Sequence, residues 1–207
     1  MKRLIITVFV ITIMLPGFSQ DTLNVDDDGY LLNDEVHISG FGGPSIGFSS
    51  INNNFALLMG GSGGINFNNN LFFGGYGSGI TNKITVDSAV YEGSNIGFAS
   101  GGLFTGFVLF NKMKLHPVVS LMVGWGSVSI ANDLGYIIDI DNVYVVTPAF
   151  DLEYNFADYF RLCIGVYYRN ISGIEKLEFD NKDFSNFGGH LTLKFGWFGE
   201  NNLEDYE

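Results

Sequence analysis

Between Phe160 and Arg169 the chain divides its side chains strictly by parity. Phe160, Leu162, Ile164, Val166 and Tyr168 fall on one face, and Arg161, Cys163, Gly165, Tyr167 and Arg169 on the other. An extended strand sorts residues this way, because successive side chains point to opposite faces. Two neighbouring stretches repeat the division. Tyr144, Val146, Phe150, Leu152, Tyr154 and Phe156 oppose Thr147, Ala149, Asp151, Glu153 and Asn155; further on, Leu191, Leu193, Phe195 and Trp197 oppose His190, Thr192, Lys194 and Gly196. A small closed barrel has room inside for one packed file of side chains. Long apolar groups at every second position therefore read as an outer, lipid-facing surface, and the charges Asp151, Glu153, Arg161, Arg169 and Lys194 as structural groups of a lumen. A soluble barrel would invert the pattern.

The same period and the turn residues give eight candidate strands: residues 35–43, 55–67, 71–81, 96–110, 114–130, 144–156, 159–171 and 187–198. Three connections read as tight, at Asn68 to Asn70, Asn111 to Met113 and Ala157 to Asp158. Four read as long and polar, at Pro44 to Asn54, Asn82 to Asn95, Ala131 to Val143 and Ser172 to Asn186. Short turns at one end, long loops at the other and an even strand count are the arrangement of an outer-membrane barrel. The reading is thus all-β: an eight-stranded antiparallel up-and-down transmembrane barrel over residues 35–198. Pro117 and Pro148 cut against it, since each removes a ladder donor from the middle of a strand; bulges are the expected remedy. The glycine-rich runs Gly60 to Gly64 and Gly74 to Gly77 read as sites of strand bending and close backbone approach.

Composition agrees. The 207 residues are 46% hydrophobic and 15% aromatic but only 15% charged, below the ~25% usual for soluble domains. Residues 1–20 have the form of a secretory signal: basic Lys2 and Arg3, an apolar run from Leu4 to Met14, then Pro16 and the small-flanked triplet ending at Ser19. Its removal lowers the formal charge from −12 to −14, since it holds two cations and no acid. An acidic exported protein repels nucleic acid. Cys163 is the one cysteine, which excludes an intrachain disulfide and a cysteine-built zinc site. Acidic segments 21–34 and 199–207 flank the barrel, and both termini are expected in the periplasm.

Aromatic residues crowd the tight turns and the chain end. Phe72, Phe73, Phe110, Phe156, Tyr159, Phe160, Trp197 and Phe198 gather at one rim of such a barrel, as a periplasmic girdle.

From residue 35 to 198 the chain resembles the small eight-stranded outer-membrane β-barrel proteins. It is similar to a bacterial branch of these marked by Gly40-Phe41-Gly42-Gly43-Pro44, Ser50-Ile51-Asn52, the doublets Gly60-Gly61 and Gly63-Gly64, and a last strand from Leu191 to Phe198. The resemblance implies the fold, the outer membrane of a Gram-negative bacterium, and recognition of the aromatic-ended last strand by the barrel-assembly machinery. The acidic tail after Phe198 departs from the pattern, since such strands usually end the chain. Adhesins, lipid A-modifying enzymes, small-ligand conduits and passive envelope proteins all use this architecture, so no activity transfers.

Chemistry-bearing constellations are few. His190 and Thr192 with Glu153 have the makings of a base, nucleophile and orienter, but they share the lumen face, where a lipid substrate cannot reach; no catalytic residue is assigned. His37 and His116 open their strands at the periplasmic rim and read as packing residues. Asn24, Asp26, Asp28 and Glu35 match calcium-loop spacing without the flanking helices, against the simpler reading of a solvated acidic tail. The loop acids Asp87, Glu92, Asp133, Asp139, Asp141, Glu175, Glu178, Asp180 and Asp183 read as solvated, with divalent bridging to lipopolysaccharide phosphates as the alternative. No cofactor is called for.

The expected protein is a non-enzymatic, monomeric, porin-like envelope barrel with a side-chain-filled lumen, in contact with outer-membrane lipid and lipopolysaccharide, whose long loops bind something outside. A lipid-modifying enzyme and a conduit for small apolar ligands are the alternatives. Within the lumen, Glu153 is expected to meet Arg161, directly opposite or one diagonal away according to the turn at 156–159, with Asp151 and Lys194 in reach.

Overall fold

The computed structural model describes residues 37–86, 90–91 and 93–198. The segments 1–20, 21–34 and 199–207 and the calcium-loop residues Asn24, Asp26, Asp28 and Glu35 lie outside them. Eight strands run in chain order: β1 (Ile38–Ile51), β2 (Asn54–Phe67), β3 (Leu71–Ile80), β4 (Asn95–Val108), β5 (Leu115–Ala131), β6 (Ile137–Ala157), β7 (Phe160–Ser172) and β8 (Asn186–Gly196), with one helical turn, α1 (Asn181–Phe184), before β8. Each strand pairs antiparallel with the next and β8 pairs back to β1, so the sheet closes into an up-and-down barrel without edges.

Two loops expected to be long are not. β1 runs on through Pro44 to Ile51 and turns into β2 at Asn52 and Asn53, both at positive φ (47° and 59°), the backbone of a two-residue hairpin turn that asparagine tolerates. Between β5 and β6 only residues 132–136 remain outside the strands, because β6 begins at Ile137 and is 21 residues long. The connections at 81–94 and 173–185 are long. Loop lengths are therefore only partly sorted between the two ends, called below the loop end and the terminal end.

The prolines are absorbed without the expected bulges. Pro117 accepts from Leu109 N–H on the β4 side, one residue past the end of β4, so its missing donor falls where the ladder stops. Pro148 keeps register with Leu121 of β5 but has no partner on β7, where pairing skips from Val146–Asn170 to Ala149–Tyr167. The register shifts occur elsewhere, between Ile130 and Ala131 and between Asn155 and Ala157.

Orientation follows the parity read from β6, β7 and β8. Leu152, Phe150, Ile164, Val166, Phe195 and Trp197 are exposed on the outside, while Asp151, Glu153, Arg161, Arg169 and Lys194 are buried within. The aromatic rim is thinner than expected: Phe73, Phe110, Phe156, Tyr159 and Trp197 are exposed, but Phe72 and Phe198 are buried. Parity explains Phe72, which lies one residue from outward-facing Phe73. Phe198 follows the last strand and folds back over the lumen mouth, 3.8 Å from the Arg161 guanidinium.

Candidate functional site

The lumen is built in three storeys. At the terminal end Glu153, 1% exposed, is a hub. Its Oε2 accepts from Lys194 Nζ at 2.6 Å and from the Cys163 thiol at 3.0 Å; its Oε1 accepts from Arg161 Nη1 at 2.8 Å and stands 3.3 Å from His116 Nε2. The other ring nitrogen of His116 lies 3.0 Å from the Met113 carbonyl. The register explains the convergence. His116 on β5 lies opposite Glu153 on β6, and Glu153 lies opposite Cys163 on β7. Arg161 lies opposite Asn155, so it reaches Glu153 along the diagonal, and Lys194 comes from the position on β8 opposite Arg161. One carboxylate thus serves two permanent cations. The rings of Phe198 against Arg161, and of Phe41 and Phe72 at 5.3 and 5.2 Å from Lys194, present their electron-rich faces to the excess positive charge. Phe72, Phe104, Val108 and Val118 complete this storey as an apolar cluster.

The middle storey is a chamber of about 110 Å³. Hydroxyls line it from seven strands: Ser45, Ser62, Ser78, Ser100, Ser120, Thr147 and Thr192, while β7 supplies Cys163 and Tyr167. Between them the walls carry glycines and the rings of Phe72, Phe98 and Phe104. On the charged side His190 Nε2 stands 2.8 Å from Asp151 Oδ1, close in distance but without hydrogen-bond alignment. Arg169 lines the same chamber. Its Nε donates to the Phe184 carbonyl at 2.9 Å and its Nη2 to the Ser50 carbonyl at 3.2 Å, and Nη1 has no partner.

The loop end is covered by an apolar cluster, called below the lid. Ile84, Val86 and Tyr91 from one long connection and Leu177 and Phe184 from the other pack onto Ile51, Ile96, Phe98, Val128, Ile130, Val143 and Ile171 of the barrel wall. Asp141 fastens the second connection. Its Oδ2 accepts the consecutive backbone N–H groups of Glu175, Lys176 and Leu177 at 3.1, 2.8 and 3.0 Å. Reading Asp141 as a solvated loop acid is therefore corrected: it is a buried β6 residue whose charge is met by main-chain donors. Asp183 likewise accepts from Asp180 N–H and caps α1. Burial, then the nearby charge of Asp139, push the Tyr91 phenol above its ordinary pKa.

His190, Thr192 and Glu153 do not assemble a triad. His190 faces Asp151, whereas the hydrogen bonds of Glu153 go to the hub. His37 is exposed at the start of β1, its N–H held by Asn68 Oδ1. Sequence reasoning placed Glu153, Arg161 and Lys194 together but left out His116 and Cys163; parity alone would have added both, since each occupies an inward position beside the hub.

No protein-family model matches the chain, and no curated protein matches it. Among solved structures, Neisserial surface protein A superposes with a TM-score of 0.58 at 12% identity, covering 80% of this chain and all of that one. The N-terminal β-barrel domain of Pseudomonas aeruginosa OprF superposes with a TM-score of 0.50 at 16% identity, covering 76% of this chain and 96% of that one. The chain has the fold of the small eight-stranded outer-membrane barrels.

Proposed function

We propose that the protein is an integral outer-membrane barrel of a Gram-negative bacterium that moves nothing through its lumen and acts at its loop end, by surface binding rather than catalysis. The observation that carries this reading is a barrel apolar on the outside and closed inside. Leu121, Phe150, Leu152, Ile164 and Phe195 face outward across its waist, while the hub blocks one end and the lid the other. Water-facing display of such a belt would be costly, and lipid removes that cost. The leader at residues 1–20, both termini in the periplasm, the last strand as the signal to the assembly machinery, and a monomer contacting lipid and lipopolysaccharide belong to the same proposal. A conduit for apolar ligands is disfavoured by the hydroxyl-lined chamber and the charged hub, which break any continuous apolar path.

The surface role falls on the projecting part of β6. A strand crosses the bilayer in about ten residues, and β6 has 21. β7 stops at Ser172 opposite Tyr144, so residues 137–143 stand clear of it. There Ile138 and Ile140, with Leu134 and Tyr136 in the turn just before β6, present large apolar side chains, Leu134 being 82% exposed, the kind of patch that marks a contact with another macromolecule.

Two measurements test the reading together. The mature protein should require detergent and should shift on a gel when boiled, and the folded barrel should give no stable conductance in a planar bilayer. A detergent-free soluble monomer, or reproducible porin-sized steps, would refute it.

A further inference from the structure

Among the described residues Arg169 is a buried cation without a counter-ion. It is 3% exposed, and its bonded partners are neutral: the carbonyls of Phe184 and Ser50 and, at 3.5 Å, the Ser49 hydroxyl. Among the described residues no carboxylate lies within ion-pair distance of it. The interior acids are engaged elsewhere: Glu153 with Lys194 and Arg161, Asp151 beside His190, Asp141 with three loop N–H groups. Asp151 pairs with Gly165, four residues before Arg169 on β7, a separation of about 13 Å along the strand. A guanidinium taken out of water with no opposite charge is among the most costly groups a protein can hold, and buried charges are as a rule paired. Arg169 also lines the chamber, and its Nη1, packed out of reach of water, has no partner.

We propose that the lumen chamber is a binding site for a small monovalent anion, a short organic carboxylate, with Arg169 as the charged anchor and a wall hydroxyl as a further donor. Carboxylate geometry matches a guanidinium N–H better than any neutral ligand does. Thr147, on the stretch of β6 that faces Arg169, lines the chamber with a hydroxyl that has no hydrogen bond among the described residues. Size sets the limit. About 110 Å³ accommodates roughly four waters at about 30 Å³ each, hence an acid the size of acetate or lactate. The ring of Phe98, 5.0 Å from the Arg169 guanidinium, receives the apolar end of such a molecule. Chloride offers the same charge without the apolar end, so the experiment must tell the two apart. The inference rests on the lumen alone and stands or falls independently of the compartment proposed above.

The test uses the full barrel folded in detergent, heated at constant ionic strength in sodium sulfate, chloride, acetate or lactate, with the folded fraction read from gel mobility. Binding to the native state alone should raise the midpoint in acetate and lactate by about 4 °C in a saturable way relative to sulfate, and the rise should vanish in Arg169→Met. Should that variant fail to fold, Thr147→Val removes the neighbouring donor at constant volume. It should weaken the acetate response roughly tenfold in concentration without lowering the midpoint in sulfate. A nuclear Overhauser contact from the acetate methyl to the Phe98 ring gives a readout on the unaltered protein. A rise in chloride equal to that in acetate, without the methyl contact, would support the anion site and assign it to halide. Equal midpoints in all four salts, or equal responses in native and variant barrels, would overturn the proposal.

Discussion

The two halves of the barrel wall fill the same lumen by opposite means. β5 to β8 send long charged and polar side chains inward: His116, Asp151, Glu153, Arg161, Arg169, His190 and Lys194. β1 to β4 carry four glycines each, sixteen against six in the other half, and add serines and a few rings. The halves are complementary, because a barrel this narrow can accept large groups from one side only where the other side recedes. The contacts are specific. A Cβ on Gly106 would lie 2.2 Å from the Phe72 ring, one on Gly74 2.7 Å from Phe104, and one on Gly188 2.4 Å from Tyr167. Each of these glycines recedes before a ring of its own half of the wall.

The largest way to break that comparison is to empty the hub. Glu153→Ala leaves Lys194 and Arg161 buried without an acceptor and should lower the unfolding free energy, measured by urea titration in detergent, by about 3–5 kcal/mol. The pairing itself is sharpened by a cycle of Arg161→Met with Glu153→Gln, in which the double variant should recover part of the summed loss; strict additivity would mean the two groups do not interact. On the receding wall the expected effect is smaller. Gly106→Val crowds Phe72 and the Val119 carbonyl and should cost about 1–3 kcal/mol, with Phe72→Leu relieving part of it. A glycine that makes room for the ring would show that relief, whereas a merely flexible one would not. Smaller again is Asp141→Asn, which weakens the hold on the 173–185 connection. Amide exchange at Lys176 and Leu177 should quicken about tenfold while the hub amides stay as they were. Least of all, Ile138→Ser on the projecting part of β6 should change stability by no more than about 0.5 kcal/mol, since its side chain is 55% exposed.

The same contrast explains what could be read without a structure. In β6, β7 and β8 large apolar residues recur at alternate positions, so period and face were legible, and with them the meeting of Glu153, Arg161 and Lys194. The choice between direct and diagonal pairing comes from the ladder, which sets Arg161 opposite Asn155. In β1 the run Gly40-Phe41-Gly42-Gly43-Pro44-Ser45 offers almost no side chains from which to take a period. Glycine and proline also argue for a turn, so eight strand residues were assigned to a loop. The first residues of β6 failed for a different reason. Asp139, Asp141 and Asn142 look like solvent-exposed loop, and only the loop N–H groups that converge on Asp141 from residues 175–177 show why an acid is buried there. That convergence depends on contacts 34 or more positions apart, which no local pattern encodes. Arg169 was legible as an inward charge, but its lack of a counter-ion was not.

The ladder between β1 and β8 has a further consequence. Its bridges run from Phe41–Gly196 and Gly42–Phe195 to Ser45–Thr192 and on to Ser49–Gly188, skipping Gly43 and Pro44, whereas β1 and β2 match along their whole length. Proline has no N–H to offer that neighbour. A strip of hairpins becomes a cylinder only at its last join, and in this chain that join has a gap in it, as the β6–β7 ladder has at Pro148. Unzipping under force or during insertion should therefore start at the meeting of the first strand and the last, with Pro44 as the tooth that does not engage.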